Sequence, residues 1–347
     1  MAWKFKIHLI HFKPLWEFVK FVFLTSSVHG FGHVVARRTH PLEKIMWCGF
    51  VVLAVYGAAI ISSMTLSRYR DNPTVISMER DRFSWNTSFP AVTICPTQKV
   101  DVEYLDRFLS ESNDTKNKPL FREFVLSLGE ATYTNFDRVV EHEEVPSDEY
   151  MRVIRKFMIT FRPSVSSSAI NGEHLTLQET ITEMGICYSF NSHLAVYNSF
   201  DYWNKGYWKL LPETETLSVN PLDGEVLATV VNISTGFQVY IHGPYEVVDI
   251  ASKYVKSPNG YFLQLYLTGL TLYSSENAKM LGIPQRKCRF HYESDLRHSP
   301  VYSYVLCRME CRASLANRLC GCTPHFYRKL GKMISVGRIK QFLIKEG

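Results

Sequence analysis

The sequence predicts an α+β membrane protein, with one transmembrane helix near the amino terminus followed by a larger, disulfide-braced domain of strands and peripheral helices. Residues 45–66 form an uncharged run of 22 positions. As a helix this run is about 33 Å long, which matches a hydrocarbon core of about 30 Å. Seven of the eight cysteines follow it, which is typical of an oxidising compartment. A buried helix of a soluble protein is the alternative, but such a helix rarely lacks a polar face.

The distribution of charge predicts a cytoplasmic amino terminus. The net charge is +6, and the segment before residue 45 contributes +5 through seven basic and two acidic residues. Basic residues beside a span mark its cytoplasmic side, although four arginines also follow the span within residues 68–82. Three glycosylation acceptors, Asn86, Asn113 and Asn232, lie after the span with most of the cysteines, and this favours an exterior position for that part.

We therefore expect a cytoplasmic tail over residues 1–44, a transmembrane helix over residues 45–66 and an extracellular domain over residues 67–347. Nucleic acid is not expected as a partner, because the basic excess lies in a tail without zinc-finger or helix-turn-helix spacing. The sequence contains no Gly-X-Ser-X-Gly, phosphate-binding glycine loop or zinc-protease helix. Neither an enzyme nor a bound cofactor or metal is expected.

The tail before the span predicts two local structures. Residues 1–24 alternate aromatic and basic side chains, which favours a helix on the inner leaflet, with a disordered tail as the alternative. Gly30 and Gly32 then lie within three positions of each other and indicate a turn. Composition alone makes His29, which precedes the first glycine, an ordinary loop histidine.

Beyond the span, strand patterns alternate with helical patterns. Strands are predicted at 84–95, 185–191, 225–233, 236–243 and 261–273, and helices at 120–128, at 151–158, from 276 and from 299 with Ser299 as cap. The acidic segment 141–144 contains His142 but lacks the second histidine of a zinc protease, so a solvated loop is favoured. His242 enters a Gly-Pro turn, which favours a satisfied strand-end residue over a ligand or base.

Several strings resemble the degenerin/epithelial sodium channel family. Phe-Pro-Ala-Val-Thr-Ile-Cys at residues 89–95 matches the family's signature after its first span, residues 185–191 resemble its second signature, and residues 236–246 resemble a strand and turn of its sheet. The Ser-rich turn, the His-Gly pair and the first span also follow one another along the chain in the same order as in the family. The resemblance implies a hand-like extracellular domain with a β-sheet palm, helical finger and cysteine-rich thumb, and the local pattern leans toward the insect pickpocket branch.

The same resemblance implies roles for individual residues. His29 and Gly30 correspond to the family's gating pair, which forms a re-entrant turn beneath the pore. Cys95 corresponds to a cysteine that the family pairs with the one at Cys187. Cys48 lies in the predicted span and is not expected to join an extracellular disulfide.

The remaining cysteines resemble the start of the family's thumb. They are Cys288, Cys307, Cys311, Cys320 and Cys322. In the family, the corresponding cysteines bond to others further along the chain, which then enters a second span with a Gly-X-Ser selectivity filter. We expect these partners beyond residue 347. A zinc site on the last four of these cysteines is the alternative, and an oxidising compartment disfavours it.

The implied function is that of a subunit, or a fragment of a subunit whose extracellular domain is incomplete at its carboxyl end, of a ligand-, proton- or mechanically gated, amiloride-sensitive sodium channel in the plasma membrane. Its partners would be homologous subunits in a homo- or heterotrimer, the lipid bilayer and sodium ions. One alternative is a short, non-conducting isoform that regulates homologous subunits. Another is a single-pass type II receptor or enzyme, which would need a closed set of cysteines and a catalytic motif.

Overall fold

A computed structural model describes residues 15–36, 39–78, 86–111, 117–168, 176–205, 211–220, 222, 224–269, 272–321 and 323–328. The chain divides into two compact units. The first unit consists of the residues up to Ser77 together with Ser274–Lys287, and the second unit contains the rest.

Helices and strands alternate along the described residues. The helices are residues 15–25 (α1), Phe31–Val35 (α2), Pro41–Asp71 (α3), Val102–Glu111 (α4), Lys118–Gly129 (α5), Tyr150–Phe157 (α6), Phe200–Lys205 (α7), Glu276–Met280 (α8), Ile283–Arg286 (α9) and Tyr304–Cys320 (α10). The strands are Thr87–Ser88 (β1), Ala91–Pro96 (β2), Ser164–Ser167 (β3), Gln178–Thr182 (β4), Gly185–Phe190 (β5), Ser218–Val219 (β6), Ala228–Val231 (β7), Phe237–His242 (β8) and Tyr254–Ser257 (β9).

Helix α3 contains the apolar run that the sequence predicts as a span. Among the described residues, it is the one helix long and apolar enough to cross a membrane. It begins at Pro41, and the ring of the preceding His40 accepts a hydrogen bond from the Leu42 backbone N–H at 3.3 Å. It ends at Asp71, beyond the predicted limit at residue 66, because the polar and charged residues that follow the run continue the helix. None of its residues is buried.

A five-stranded antiparallel sheet forms the centre of the second unit, in the order β4-β5-β2-β8-β9. Strand β2 lies in the middle because its β-branched residues suit a pleated surface that is covered on both sides. Its Ile94 lies opposite Tyr188 of β5 and Val239 of β8. The predicted strands at 185–191 and 236–243 are confirmed as β5 and β8, and the one at 225–233 is shortened to β7. Two short ladders, β1-β6 and β3-β7, lie outside this sheet, and an isolated antiparallel bridge joins Val100 to Met158.

Helices α4, α5 and α6 share a separate apolar core. Leu105, Phe124, Leu128 and Phe157 are all buried in it. The apolar residues recur at helical spacing on each of these helices, so that one face of each is covered. The helices predicted at 120–128 and 151–158 are thereby confirmed as α5 and α6.

Two predictions of local structure are wrong. The described residues between 261 and 273 form no strand, and Phe262 and Tyr266 are exposed. Strand propensity depends on neighbours to pack against, and most described residues of this segment are exposed, with Leu263 packed on the core cluster that contains Ile94. The helix predicted to begin after Ser299 begins instead at Tyr304, because the Ser303 hydroxyl caps it by accepting a hydrogen bond from the Leu306 N–H at 3.2 Å.

Candidate functional site

The turn between α1 and α2 requires glycine at position 30 for two reasons. Gly30 has φ of 101°, a left-handed conformation that glycine adopts at little cost. A Cβ atom added there would lie 3.0 Å from Cγ2 of Val51 and 3.5 Å from Cε3 of Trp47, both on α3. Gly32 is different, because a Cβ atom there would meet nothing within 4 Å.

Aromatic rings hold this turn against α3. The His33 ring stacks on the indole of Trp47 with centroids 4.5 Å apart, and the His29 ring meets the same indole edge-on at 6.0 Å. On the other side of the turn, Phe23 of α1 stacks on Phe31 of α2 at 4.6 Å. The predicted gating pair is therefore packed on α3, and a displacement of α3 changes the contacts of the turn.

A disulfide joins the two neighbouring strands β2 and β5. It links Cys95 to Cys187, whose Cα atoms are 4.4 Å apart and which are separated by 92 positions in the chain. Ile94 lies opposite Tyr188 in the ladder, so the two cysteines continue the same register. Both sulfur atoms are buried beside Tyr240 and belong to one apolar cluster with it. This is the pairing that the family resemblance implies.

Helix α10 presents two further cysteines one turn apart. Cys307 is half-buried and Cys311 is exposed, and neither forms a disulfide within the described part of the chain. Cys288 is exposed, Cys320 is the last residue of α10, and Cys322 lies outside the described residues. Within the described ranges, no three or more His, Cys, Asp or Glu side chains are grouped so that they could hold a metal ion. The zinc alternative stays a hypothesis, because it requires Cys320 and Cys322.

The glycosylation acceptors fall in two described places and one undescribed place. Asn86 and Asn232 are exposed, and Asn232 follows β7 with φ of 64°. The side-chain Oδ1 of Asn86 accepts a hydrogen bond from the Asn220 Nδ2 at 3.0 Å. Asn113 lies outside the described residues. Glycosylation at these positions stays a prediction.

Two histidines singled out in the sequence have different surroundings. His242 contacts the Thr93 hydroxyl through Nε2 at 2.7 Å and the Gly243 carbonyl through Nδ1 at 2.9 Å. Burial lowers its pKa, although the Gly243 carbonyl and the charge of Glu246 act in the opposite direction. It is thus a satisfied strand-end residue. His142 lies in an acidic loop as expected, but its own ring is buried, with no hydrogen-bond partner among the described residues.

A cluster of charges that the sequence analysis missed fastens α10 to the edge of the sheet. Its members, which we name the buried charge network, are Glu183, Asp249, Arg308, Arg312 and Tyr327. Both carboxylates are fully buried. Arg312 donates to Glu183 at 2.9 and 2.8 Å and to Asp249 at 2.8 Å, and Arg308 donates to Asp249 at 2.6 Å. The Tyr327 hydroxyl donates to Glu183.

The network balances two negative charges with two positive charges. Burial alone would raise the pKa of Asp249, but hydrogen bonds from Arg312 and Ser252 and the nearby charge of Arg308 hold it below its ordinary value. Burial raises the pKa of Tyr327, and the carboxylate of Glu183 raises it further. The tyrosine therefore remains a neutral donor. A cluster of this kind stabilises one arrangement of α10 on the sheet, because removal of one charge leaves its partner buried without compensation.

Comparison with known proteins decides the family. The family described as "Amiloride-sensitive sodium channel" has a model that matches residues 22–340. The chain belongs to this family. The degenerin/epithelial sodium channel resemblance of its motifs is thereby confirmed, and with it the assignment to a channel family and not to an enzyme family.

The curated relatives of this channel family have low identity over most of the chain. Pickpocket protein 11 of Drosophila melanogaster is 22% identical over 86% of this chain and 49% of its own length. The bile acid-sensitive ion channel of Mus musculus is 23% identical over 87% of this chain and 59% of its own length. Sodium channel protein Nach of Drosophila melanogaster is 22% identical over 87% of this chain and 62% of its own length. The chain thus spans about half to three fifths of the length of these relatives.

Proposed function

We propose that the chain is a subunit of an amiloride-sensitive sodium channel of the plasma membrane that assembles with homologous subunits. The observation that carries this proposal is the family match over residues 22–340, because it includes the turn, helix α3, strand β2 and helix α10. In this proposal α3 crosses the bilayer and presents its uncovered apolar side chains to lipid and to neighbouring subunits. The residues before it are cytoplasmic, and those from 67 onward are extracellular.

The turn at His29 and Gly30 acts as a gating element in this proposal. Its contacts with Trp47 and Val51 support the role, because a shift of α3 cannot leave the turn unchanged. The extracellular unit receives the stimulus, which is a ligand, protons or mechanical force. The disulfide and the buried charge network support this role, since they make the sheet and α10 a stiff body that moves without deforming.

Co-expression with a complete homologous subunit tests the proposal. We expect the chain to co-purify with that subunit and to change the amiloride-sensitive sodium current. An increase indicates a conducting subunit, and a decrease with normal surface expression indicates a regulatory one. An unaltered current together with no co-purification would contradict the proposal.

The proposed topology has its own test. Enzymatic removal of N-linked glycans should shift the mobility of the wild-type chain in a gel, and the N86Q/N232Q variant should show a smaller shift. An epitope at the amino terminus should be labelled only after the cells are permeabilised. Labelling of that epitope on intact cells would contradict a cytoplasmic tail.

A further inference from the structure

A cavity between α6, α7 and the segment at 325–327 is not explained by the channel assignment. Its volume is about 230 Å³, which is below the roughly 300–1,000 Å³ of typical ligand pockets. Met151, Phe200, Trp203 and Tyr327 form its apolar and aromatic wall, and Asp148 and Glu149 lie along it. It therefore has room for one small molecule with an aromatic ring.

The aromatic wall of the cavity is held in place from behind. Phe200 and Trp203 both pack on the core cluster that contains Met151 and Tyr327. Their rings therefore keep a fixed position on which a ligand can stack.

The charges around the cavity favour a cation. Arg152 donates to Glu149 at 2.8 and 3.1 Å, so these two charges offset each other. Asp148 is exposed and forms no ion pair with another described residue. His325 also lines the cavity. The pKa of His325 is lowered to about 3, mainly by burial and to a smaller extent by the charge of Lys99. Its ring is therefore neutral near pH 7 and does not repel a cation.

We propose that this cavity binds a small aromatic amine, with the ammonium group at the Asp148 carboxylate and the ring against Phe200 and Trp203. Aromatic faces add to the attraction for a cation. The wall shares Tyr327 with the buried charge network. An occupant of the cavity thus contacts a residue that is hydrogen-bonded to the carboxylate holding α10.

Direct binding to the full chain in detergent tests the proposal without any channel activity. Tyramine is the probe, because it carries an ammonium group and an aromatic ring, and isothermal titration calorimetry measures its affinity. We expect saturable binding that D148N weakens at least fivefold. D137N is the matched control, since Asp137 is also an exposed carboxylate but lies outside the cavity wall. Absence of saturation, or equal effects of D148N and D137N, would overturn the proposal.

A second measurement tests the charge argument. The anion 4-hydroxyphenylacetate has a similar ring but the opposite charge, and it should not bind. Binding as tight as that of tyramine would contradict the charge argument.

Discussion

The first unit holds α2 against α3 with aromatic rings and a glycine, whereas the second unit holds α10 with buried charges. At the turn, the contacts are those of Gly30, His33 and Trp47. At α10, the contacts are ionic hydrogen bonds between Arg312 and two buried carboxylates. Ring contacts weaken gradually as the rings slide, but an ion pair deprived of one partner leaves an uncompensated buried charge. The turn is therefore suited to small displacements, and α10 is suited to keeping one position.

The largest expected effect comes from breaking the buried charge network. R312M should reduce the free energy of unfolding of the second unit by about 3–5 kcal/mol, because two buried carboxylates would then share one arginine. Urea unfolding of the full chain in detergent, followed by tryptophan fluorescence, measures it. R152M is the control, since its pair with Glu149 is exposed and contributes at most about 1 kcal/mol. Equal effects of the two variants would remove the contrast between the regions.

Loss of the disulfide should have the next largest effect. The bond closes a long loop of chain, so the C95S/C187S variant should lose about 2–5 kcal/mol in the same unfolding experiment. C48S should be neutral, because Cys48 is an exposed free thiol on α3. A variant without the bond that unfolds at the wild-type urea concentration would show that non-covalent contacts alone fix the β2-β5 register.

The second unit should also lose stability in mild acid through His325. The folded-state pKa of His325 is lowered to about 3, so the unfolded chain takes up a proton first as the pH falls. Stability is complete above the ordinary pKa near 6.5 and declines between 6.5 and 3, by up to about 1.4 kcal/mol per pH unit.

H325F is the variant that isolates this effect, because phenylalanine keeps an aromatic ring beside Tyr150 and Phe326 but binds no proton. Unfolding free energies of H325F at pH 7 and pH 4.5 should differ by less than those of the wild type. Identical pH dependence of the two proteins would show that other groups are responsible.

The smallest effect on stability, and the largest on gating, is expected at the turn. G30A forces a side chain into a left-handed conformation, which costs about 1–2 kcal/mol, and places a Cβ atom against Val51. Single-channel recording with a complete partner subunit should show an altered open probability for G30A. G32A meets open space and should behave as wild type. If V51A restored G30A completely, steric contact alone would explain the requirement for glycine.

Local patterns in the sequence predict much of the fold. The uncharged run predicts α3, the alternation around Ile94 predicts β2, and the paired glycines predict the turn. Each depends on residues that are close in the chain. The strand predicted at 261–273 is wrong because composition alone suggested it, while strand formation depends on a covering partner.

The buried charge network could not be predicted in this way. Arg312 is separated from Asp249 by 63 positions and from Glu183 by 129, and no local pattern relates them. One signal was nevertheless available. Arg308 and Arg312 are four residues apart on a helix and share a face, which indicates a common acidic partner. The Trp203 cavity left no comparable signal, because an aromatic residue in a helix is most often part of a core.

Helix α10 carries a cysteine immediately before each arginine of the network: Cys307 before Arg308 and Cys311 before Arg312. Successive side chains on an α-helix point about 100° apart. Once the guanidinium groups of Arg308 and Arg312 are bound to their carboxylates, the direction in which the two cysteine side chains point around the axis of α10 is therefore fixed as well. Electrostatic docking of α10 would thus aim both thiols while they are still free. In the disulfides that the family resemblance implies for them, noncovalent folding would then select the covalent partners and not the reverse.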